Sequence, residues 1–138
     1  MRSLATAVLL TCVALAADNP FVGTGAMNKS KSKIDPNGTQ YNNFTIQNIQ
    51  DGPTLKGIAT VNGTAGPVTI LDGKEHAISG STPSGATHYV SAANGKTIKM
   101  VFNRDGKTVA TRMTSLSADG KTMTSVTEGT WPNVFEKQ

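Results

Sequence analysis

The fold is decided by residues 94–127, which read NGKTIKMVFNRDGKTVATRMTSLSADGKTMTSVT. An Asn-Gly-Lys or Asp-Gly-Lys triplet begins at residues 94, 105 and 119, and a strand-like run follows each one. Asn-Gly and Asp-Gly supply the positive φ angles that tight hairpin turns need. The stretch therefore predicts consecutive antiparallel hairpins.

The same pattern continues through the rest of the chain. After residue 16 there are 8 Val, 7 Ile and 17 Thr but only 3 Leu, and β-branched side chains favour strands over helices. Gly and Pro recur too often for a helix beyond a turn or two, although the polar segment 28–38 could hold one short helical turn. We expect nine or ten strands, at residues 21–27, 41–49, 54–62, 68–71, 75–79, 86–92, 97–102, 108–116, 122–127 and 133–137.

A meander of this length in one small domain leaves exposed strand edges unless the sheet closes on itself. The sequence therefore predicts an all-β, antiparallel up-and-down β-barrel, with a two-sheet sandwich as the alternative. Thr occurs on both faces of several strands, so the pattern leaves open which face of each strand points inward.

The N-terminal residues have the form of a secretory signal peptide. A basic start at Arg2 precedes the apolar run 4–15, and Ala14-Leu15-Ala16 is a small-x-small cleavage site. We expect residues 1–16 to be removed near Ala16, leaving 17–138 as a single secreted or periplasmic domain. The only cysteine, Cys12, follows Thr11, which disfavours a lipidation signal. No later apolar stretch approaches 18 residues, so no transmembrane segment is predicted.

Several short motifs, taken in order, resemble small secreted bacterial lipocalin-like proteins of the acidobacterial type. They are Asn19-Pro20-Phe21-Val22-Gly23-Thr24, Asn28-Lys29-Ser30-Lys31-Ser32-Lys33, Asp72-Gly73-Lys74-Glu75-His76, Asp105-Gly106-Lys107-Thr108-Val109, Asp119-Gly120-Lys121-Thr122-Met123-Thr124 and Val134-Phe135-Glu136-Lys137-Gln138. The resemblance covers most of the chain after residue 16. It implies a barrel of the lipocalin or fatty-acid-binding-protein kind and no particular activity.

One position departs from that family. Gly25 stands where the family has a Trp that closes the base of the barrel. Either another residue, such as Trp131, plugs that end, or the base is looser.

Charge and chemistry exclude several classes of function. Without Arg2 the chain carries 12 basic and 9 acidic residues, and its few aromatics are not interleaved with basic residues, so we expect no nucleic-acid partner. The cluster Lys29, Lys31 and Lys33 is interpreted as a solvated loop rather than a docking patch for an anionic partner. No nucleophile elbow or phosphate loop is present, and the carboxylates lie mostly in turns. We therefore predict no catalysis and no cofactor.

The two histidines could meet across strands near Glu75, but three or four close ligands are needed for zinc. We therefore expect His76 and His88 to be surface or rim residues and predict no metal site.

Five residues are candidates for ligand binding. Arg112 lies in mid-strand, and a guanidinium in the lumen could hold a carboxylate through two hydrogen bonds; the alternative is an outward Arg on a solvated wall. Alternation puts Arg112 and Met113 on opposite faces. Met100 and Met113 could line a soft apolar pocket or simply fill the core. Tyr89 and Tyr41 could form a rim or pack in the barrel.

The sequence thus predicts a non-catalytic carrier or sensor of a small apolar or amphipathic ligand, or of one that bears a carboxylate. The alternative is an accessory protein that interacts through its surface or rim, with a packed barrel. A lumen without a cavity of about 300 Å³ or more would count against the first function. The oligomeric state is left open.

Overall fold

The computed structural model describes residues 19–34, 40–79, 85–128 and 132–138. The predicted signal peptide and Trp131 lie outside the described residues. The described chain forms eleven strands: β1 Gly23–Met27, β2 Phe44–Asp51, β3 Thr54–Val61, β4 Thr64–Ala65, β5 Thr69–Leu71, β6 Glu75–Ala77, β7 His88–Asn94, β8 Thr97–Arg104, β9 Lys107–Leu116, β10 Thr122–Thr127 and β11 Asn133–Lys137. Ten of them correspond to predicted strands, and the two-residue β4 was not predicted.

All the strands pair antiparallel in one sheet. The order is β4-β3-β2-β1-β11-β10-β9-β8-β7-β6, and β5 also pairs with β3. Apart from β4, β5 and β6, strands that are neighbours in sequence pair with each other, and the first strand pairs with the last, Gly25 opposite Lys137. The prediction of an all-β, up-and-down antiparallel barrel is therefore confirmed, and the sandwich is not.

Turn chemistry explains the short connections. At Asp105-Gly106, between β8 and β9, both residues have positive φ, 52° and 74°. At Asn62-Gly63, between β3 and β4, both φ angles are also positive, 51° and 86°. Two successive positive φ angles match the right-handed twist of the flanking strands, and Asn, Asp and Gly adopt them at the least steric cost.

The ladder of hydrogen bonds is interrupted between β5 and β6. No pairing joins these two strands within the described residues, although the turn at 72–74 connects them. Two hydrogen bonds to β7 bridge the interruption. The backbone N–H of Ile70 donates to the Tyr89 hydroxyl at 2.9 Å, and that of Gly73 donates to the Ser91 carbonyl at 2.9 Å.

The inward face carries two apolar clusters. The basal cluster contains Phe21, Leu55, Ile98, Met123 and Phe135. The second cluster contains Ala86, Tyr89 and Phe102, with Met100 packed against it. Successive residues of a strand point to opposite faces, and Leu55, Phe102 and Met123 each lie on the inward face of their own strand. One face of each strand therefore supplies the core.

Residues 28–33 form a turn that packs on β11. Ser32 N–H donates to the Asn28 carbonyl at 3.1 Å, and Asn28 N–H donates to the Val134 carbonyl at 2.8 Å. The Ser32 hydroxyl donates to the Asn28 carbonyl at 2.7 Å and accepts from the backbone N–H of Val134 at 2.8 Å. Lys31 forms an ion pair with Glu136, and the same oxygen accepts from the Asn28 amide. The lysine-rich segment is thus fastened to the last strand.

Candidate functional site

Arg112 lies in the middle of β9 and points to the inner side of the sheet. Its cross-strand partners are Met100 on β8 and Thr127 on β10. The guanidinium Nε donates to the Thr127 hydroxyl at 3.0 Å, and the guanidinium carbon lies 5.1 Å from the ring centroid of Phe102. Because Phe102 is a buried core residue, this contact places the Arg112 side chain in the interior.

The charge of Arg112 is not balanced by an acidic side chain. Among the described residues, no Asp or Glu forms an ion pair with it, and its only side-chain hydrogen bond goes to Thr127. Burial lowers the pKa of the guanidinium, and the nearby Tyr41 hydroxyl opposes that shift. A guanidinium carries five N–H donors in a planar fork that matches a carboxylate. The arrangement can therefore receive an anion.

Polar side chains share the inward face with Arg112: Ser91 lies opposite Met100, which lies opposite Arg112, and Thr114 follows Arg112 by two residues on β9. Ser91 is 1% exposed, and its hydroxyl has no hydrogen-bond partner within the described residues. The hydroxyl of Thr114 donates to that of Ser125 at 3.2 Å. Buried polar groups are usually hydrogen-bonded, so the unpaired Ser91 hydroxyl marks this level of the barrel as unusual.

Tyr89 is buried, and its hydroxyl has a structural role. It accepts the hydrogen bond from Ile70 that bridges the interrupted ladder. The His76 ring lies 5.5 Å from the Tyr89 ring, and His76 Nε2 is 2.9 Å from Asp72 Oδ1. The hydrogen bond from His76, followed by one from the backbone of Lys74, lowers the pKa of the Asp72 carboxyl. Tyr89 thus belongs to the side of the barrel where β5 and β6 part.

Tyr41 precedes β2 and opens a chain of aromatic contacts. Its ring centroid lies 5.1 Å from that of Phe44, and Phe44 meets Phe135 edge-on at 4.9 Å. Tyr41 therefore packs toward the basal cluster. The structure thus brings two of the candidates, Arg112 and Met100, together in the interior as cross-strand neighbours, and it places Tyr41 against Phe44 instead.

The structure separates the two methionines. Met100 packs inside against the second cluster, whereas Met113 is 39% exposed on the outer wall. Neither proposed role, a pocket shared with Met100 or core filling, holds for Met113, because successive residues of β9 point to opposite sides and Arg112 takes the inner position. Met113 pairs across strands with Val126, which is also 39% exposed.

A small cavity lies at the base of the barrel, beside Gly25. Its volume is about 20 Å³, enough for one or two water molecules. A Cβ on Gly25 would lie 3.2 Å from Phe135 Cβ and 3.6 Å from Met123 Cε. Phe135, Met123 and the buried Phe21 therefore pack around the position of the family Trp, and the proposed plug Trp131 lies outside the described residues. The volume is far below that of a cavity for a drug-sized ligand.

The sequence interpretation missed Asn48, which lines this cavity and is 7% exposed. The only available signal was its alternation with Phe44 and Ile46 on the predicted strand, which puts an amide in a row of core positions.

Neither histidine is part of a metal cluster in the described part of the chain. No group of three His, Cys, Asp or Glu side chains lies close enough there to hold an ion. His88 is exposed and its Nδ1 contacts the Thr87 hydroxyl at 2.9 Å. No helix of the described segments has the length and apolar character that a membrane crossing requires.

The fold has known counterparts among solved structures. Secretory abundant heat soluble protein 4 from Ramazzottius varieornatus aligns with a TM-score of 0.60 and 16% identity, over 88% of this chain and 97% of that one. The Schistosoma mansoni fatty acid binding protein in complex with arachidonic acid aligns with a TM-score of 0.59 and 10% identity, over 86% of this chain and 96% of that one. Zebrafish ileal bile acid-binding protein in complex with cholic acid aligns with a TM-score of 0.57 and 15% identity, over 87% of this chain and 100% of that one.

These alignments establish the shared barrel architecture. No protein-family model matches the sequence, and no curated protein matches it either.

Proposed function

We propose that this protein is a non-catalytic barrel that binds a small amphipathic carboxylate through Arg112. The observation that carries the proposal is the inward guanidinium without an acidic partner among the described residues. A buried cation without a counterion costs free energy, and a bound carboxylate would supply the counterion and fill the remaining donors. Two similar folds are named for binding fatty acid and bile acid, which supports the ligand class.

Binding requires the interior to open around the guanidinium, since the cavity of about 20 Å³ lies elsewhere and is small. Met100, the cross-strand neighbour of Arg112, has an unbranched and flexible side chain suited to such repacking. The ligand chain would then lie against Met100 and Phe102, with its carboxylate at Arg112 and Thr127.

Calorimetric titration with decanoate and decanol tests the proposal. We expect decanoate to bind and Arg112→Met to weaken it at least tenfold, because the charge-assisted hydrogen bonds disappear. Decanol should bind more weakly and should not respond to the substitution. The control is Lys99→Met, which removes a cation from the outer wall. Equal binding of decanoate to both variants would refute the role of Arg112.

A second function has its own observation. The described cavity is small, and Met113 and Val126 form an exposed apolar pair on the outer wall. Both features fit an accessory protein with a packed barrel that acts through its surface. Native mass spectrometry of the gently purified protein separates the two functions. A stoichiometric apolar passenger favours the carrier, whereas a clean apo mass with no uptake from a lipid-extract panel favours the accessory protein.

We also propose that the protein is exported and belongs with the bacterial lipocalin-like proteins that its motifs resemble. The support is the apolar run 4–15 and the small-x-small site ending at Ala16. Expression of the full chain in a bacterial host, followed by intact-mass analysis, should give a species that begins at Ala17. A cytosolic product that retains residue 1 would contradict export.

A further inference from the structure

One row of inward side chains crosses three neighbouring strands of the barrel. Ser91 on β7 lies opposite Met100 on β8, and Met100 lies opposite Arg112 on β9. Neighbouring strands are about 4.8 Å apart, so the backbones at Ser91 and Arg112 are separated by about 10 Å. Met100 therefore stands between a neutral hydroxyl and the guanidinium of the proposed function.

The hydroxyl of Ser91 is buried on the inward face without a partner. Tyr89 and Ala93, the alternate residues on either side of it in β7, both pack in the apolar clusters. Ser91 shares their face because alternate residues of a strand point the same way. Its side chain is 1% exposed, and its Oγ has no hydrogen-bond partner within the described residues. A buried hydroxyl in this state destabilises the fold.

The local fold does not need this hydroxyl. The carbonyl of Ser91 accepts a hydrogen bond from the backbone N–H of Gly73 at 2.9 Å, and so helps to bridge the interruption between β5 and β6. That contact involves only the main chain, so an alanine at the same position would keep it. An alanine would also be easier to bury, because it has no polar side-chain atom. The Ser91 hydroxyl is therefore available for a ligand.

We propose that Ser91 is a second polar contact of the Arg112 site, and that the ligand is a carboxylate with a hydroxyl group far along its chain. This inference rests on the proposed function, in which Met100 repacks to admit the ligand. With Met100 displaced, the Ser91 hydroxyl and the Arg112 guanidinium face the same space.

The chemistry of the two side chains sets the chemistry of the ligand. A ligand hydroxyl can donate to Ser91 or accept from it, because a serine hydroxyl does both. A second carboxylate at Ser91 would be a buried charge without a cation, since Arg112 already pairs with the first. A hydroxyl next to the first carboxylate would not reach Ser91, because two strand spacings separate the two residues.

Calorimetric titration with 10-hydroxydecanoate and decanoate tests the contact, since these ligands differ only in the distal hydroxyl. We expect the parent protein to bind 10-hydroxydecanoate at least as tightly as decanoate. Ser91→Ala should weaken the binding of 10-hydroxydecanoate about tenfold, because the ligand hydroxyl is then buried without a partner. The same substitution should leave the affinity for decanoate unchanged or slightly raised.

Two controls accompany this titration. Ser115→Ala removes an exposed hydroxyl from β9 and should change neither affinity. The urea midpoint of Ser91→Ala should equal or exceed that of the parent protein, and a lower midpoint would assign the hydroxyl to the fold. The parent protein should also bind 10-hydroxydecanoate more tightly than 2-hydroxydecanoate, and this comparison decides the matter if the variant does not fold.

The outcomes separate this inference from the proposed function. If decanoate binding responds to Arg112→Met but 10-hydroxydecanoate binding does not respond to Ser91→Ala, the proposed function stands and the role of Ser91 is refuted. If neither ligand binds the parent protein, both proposals fail. A long-lived water at Ser91, detected by NMR and not displaced by 10-hydroxydecanoate, would make the hydroxyl a hydration site and overturn the inference.

Discussion

Arg112 shows how one side chain is held in the interior without a charge partner among the described residues. Thr127 accepts one hydrogen bond and the Phe102 ring covers the guanidinium, which together fix its position. Neither contact neutralises the charge, and a cation over an aromatic ring gains only about 0.5–2 kcal/mol. The residue therefore contributes little to the stability of the free protein.

Replacement of Arg112 by Met should separate a binding role from a structural one. We expect the free energy of unfolding of the ligand-free variant to stay the same or rise by about 1 kcal/mol, because an apolar side chain of similar length replaces an unpaired buried charge. Urea unfolding at pH 7 measures it. A loss above about 1 kcal/mol would show that the contacts to Thr127 and Phe102 are mainly structural.

Glu136 couples the last strand to pH. Hydrogen bonds from Lys31 and then Asn28 lower the pKa of its carboxyl below 4.5. A carboxyl with a depressed folded-state pKa contributes stability above its unfolded pKa, and this contribution is lost as the pH falls through the folded pKa. We expect Glu136→Gln to lose less stability than the parent between pH 7 and pH 3 in urea unfolding. Glu128→Gln, an exposed carboxyl, is the control, and equal losses in all three proteins would contradict the coupling.

At the scale of elements, the turn at residues 28–33 depends on a single hydroxyl. Ser32 Oγ donates to the Asn28 carbonyl and accepts from the N–H of Val134, which is buried. Ser32→Ala leaves both groups without this partner and should cost about 1–3 kcal/mol in chemical unfolding. Ser30→Ala removes only an exposed local bond to Asn28 and should cost less than about 0.5 kcal/mol. A similar cost for both would show that the turn does not stabilise β11.

The interruption between β5 and β6 depends on the Tyr89 hydroxyl. In Tyr89→Phe the N–H of Ile70 loses its acceptor, so we expect its hydrogen exchange to accelerate and the stability to fall by about 1 kcal/mol. Tyr41→Phe is the matched control and should leave the exchange of Ile70 unchanged. Unaltered exchange in Tyr89→Phe would mean that the amide finds another acceptor.

At the scale of the whole molecule, the barrel is continuous on one side and interrupted on the other. β8 and β9 pair over most of their length, whereas the pairing of β6 in the described segments is limited to three residues of β7. Segments with few ladder bonds open at lower free energy. Hydrogen exchange followed by mass spectrometry should therefore show faster exchange in Glu75–Ala77 than in Thr97–Arg104. Equal protection of both segments would show that the two ends of the ladder meet in solution.

Much of the architecture was predictable because hairpin chemistry is local. Asp105 and Gly106 accept successive positive φ angles at low steric cost, so β8 and β9 follow from neighbouring residues, within two residues of their ends. The two-residue strand Thr64–Ala65 was missed because it exists only through its pairing with Thr60 and Val61.

What the sequence alone determined is the set of strands, their up-and-down order and the presence of Arg112 in mid-strand, since turn signals and alternation act over a few residues. The tertiary structure decided which face is the interior, and with it the burial of Arg112 and the exposure of Met113. It also brought Asn48 of β2 to one cavity with Lys121 and Lys137 of the last hairpin, more than 70 residues further along the chain. The physical reason is that strand pairing and closure between distant residues, not local propensity, assign each side chain its neighbours.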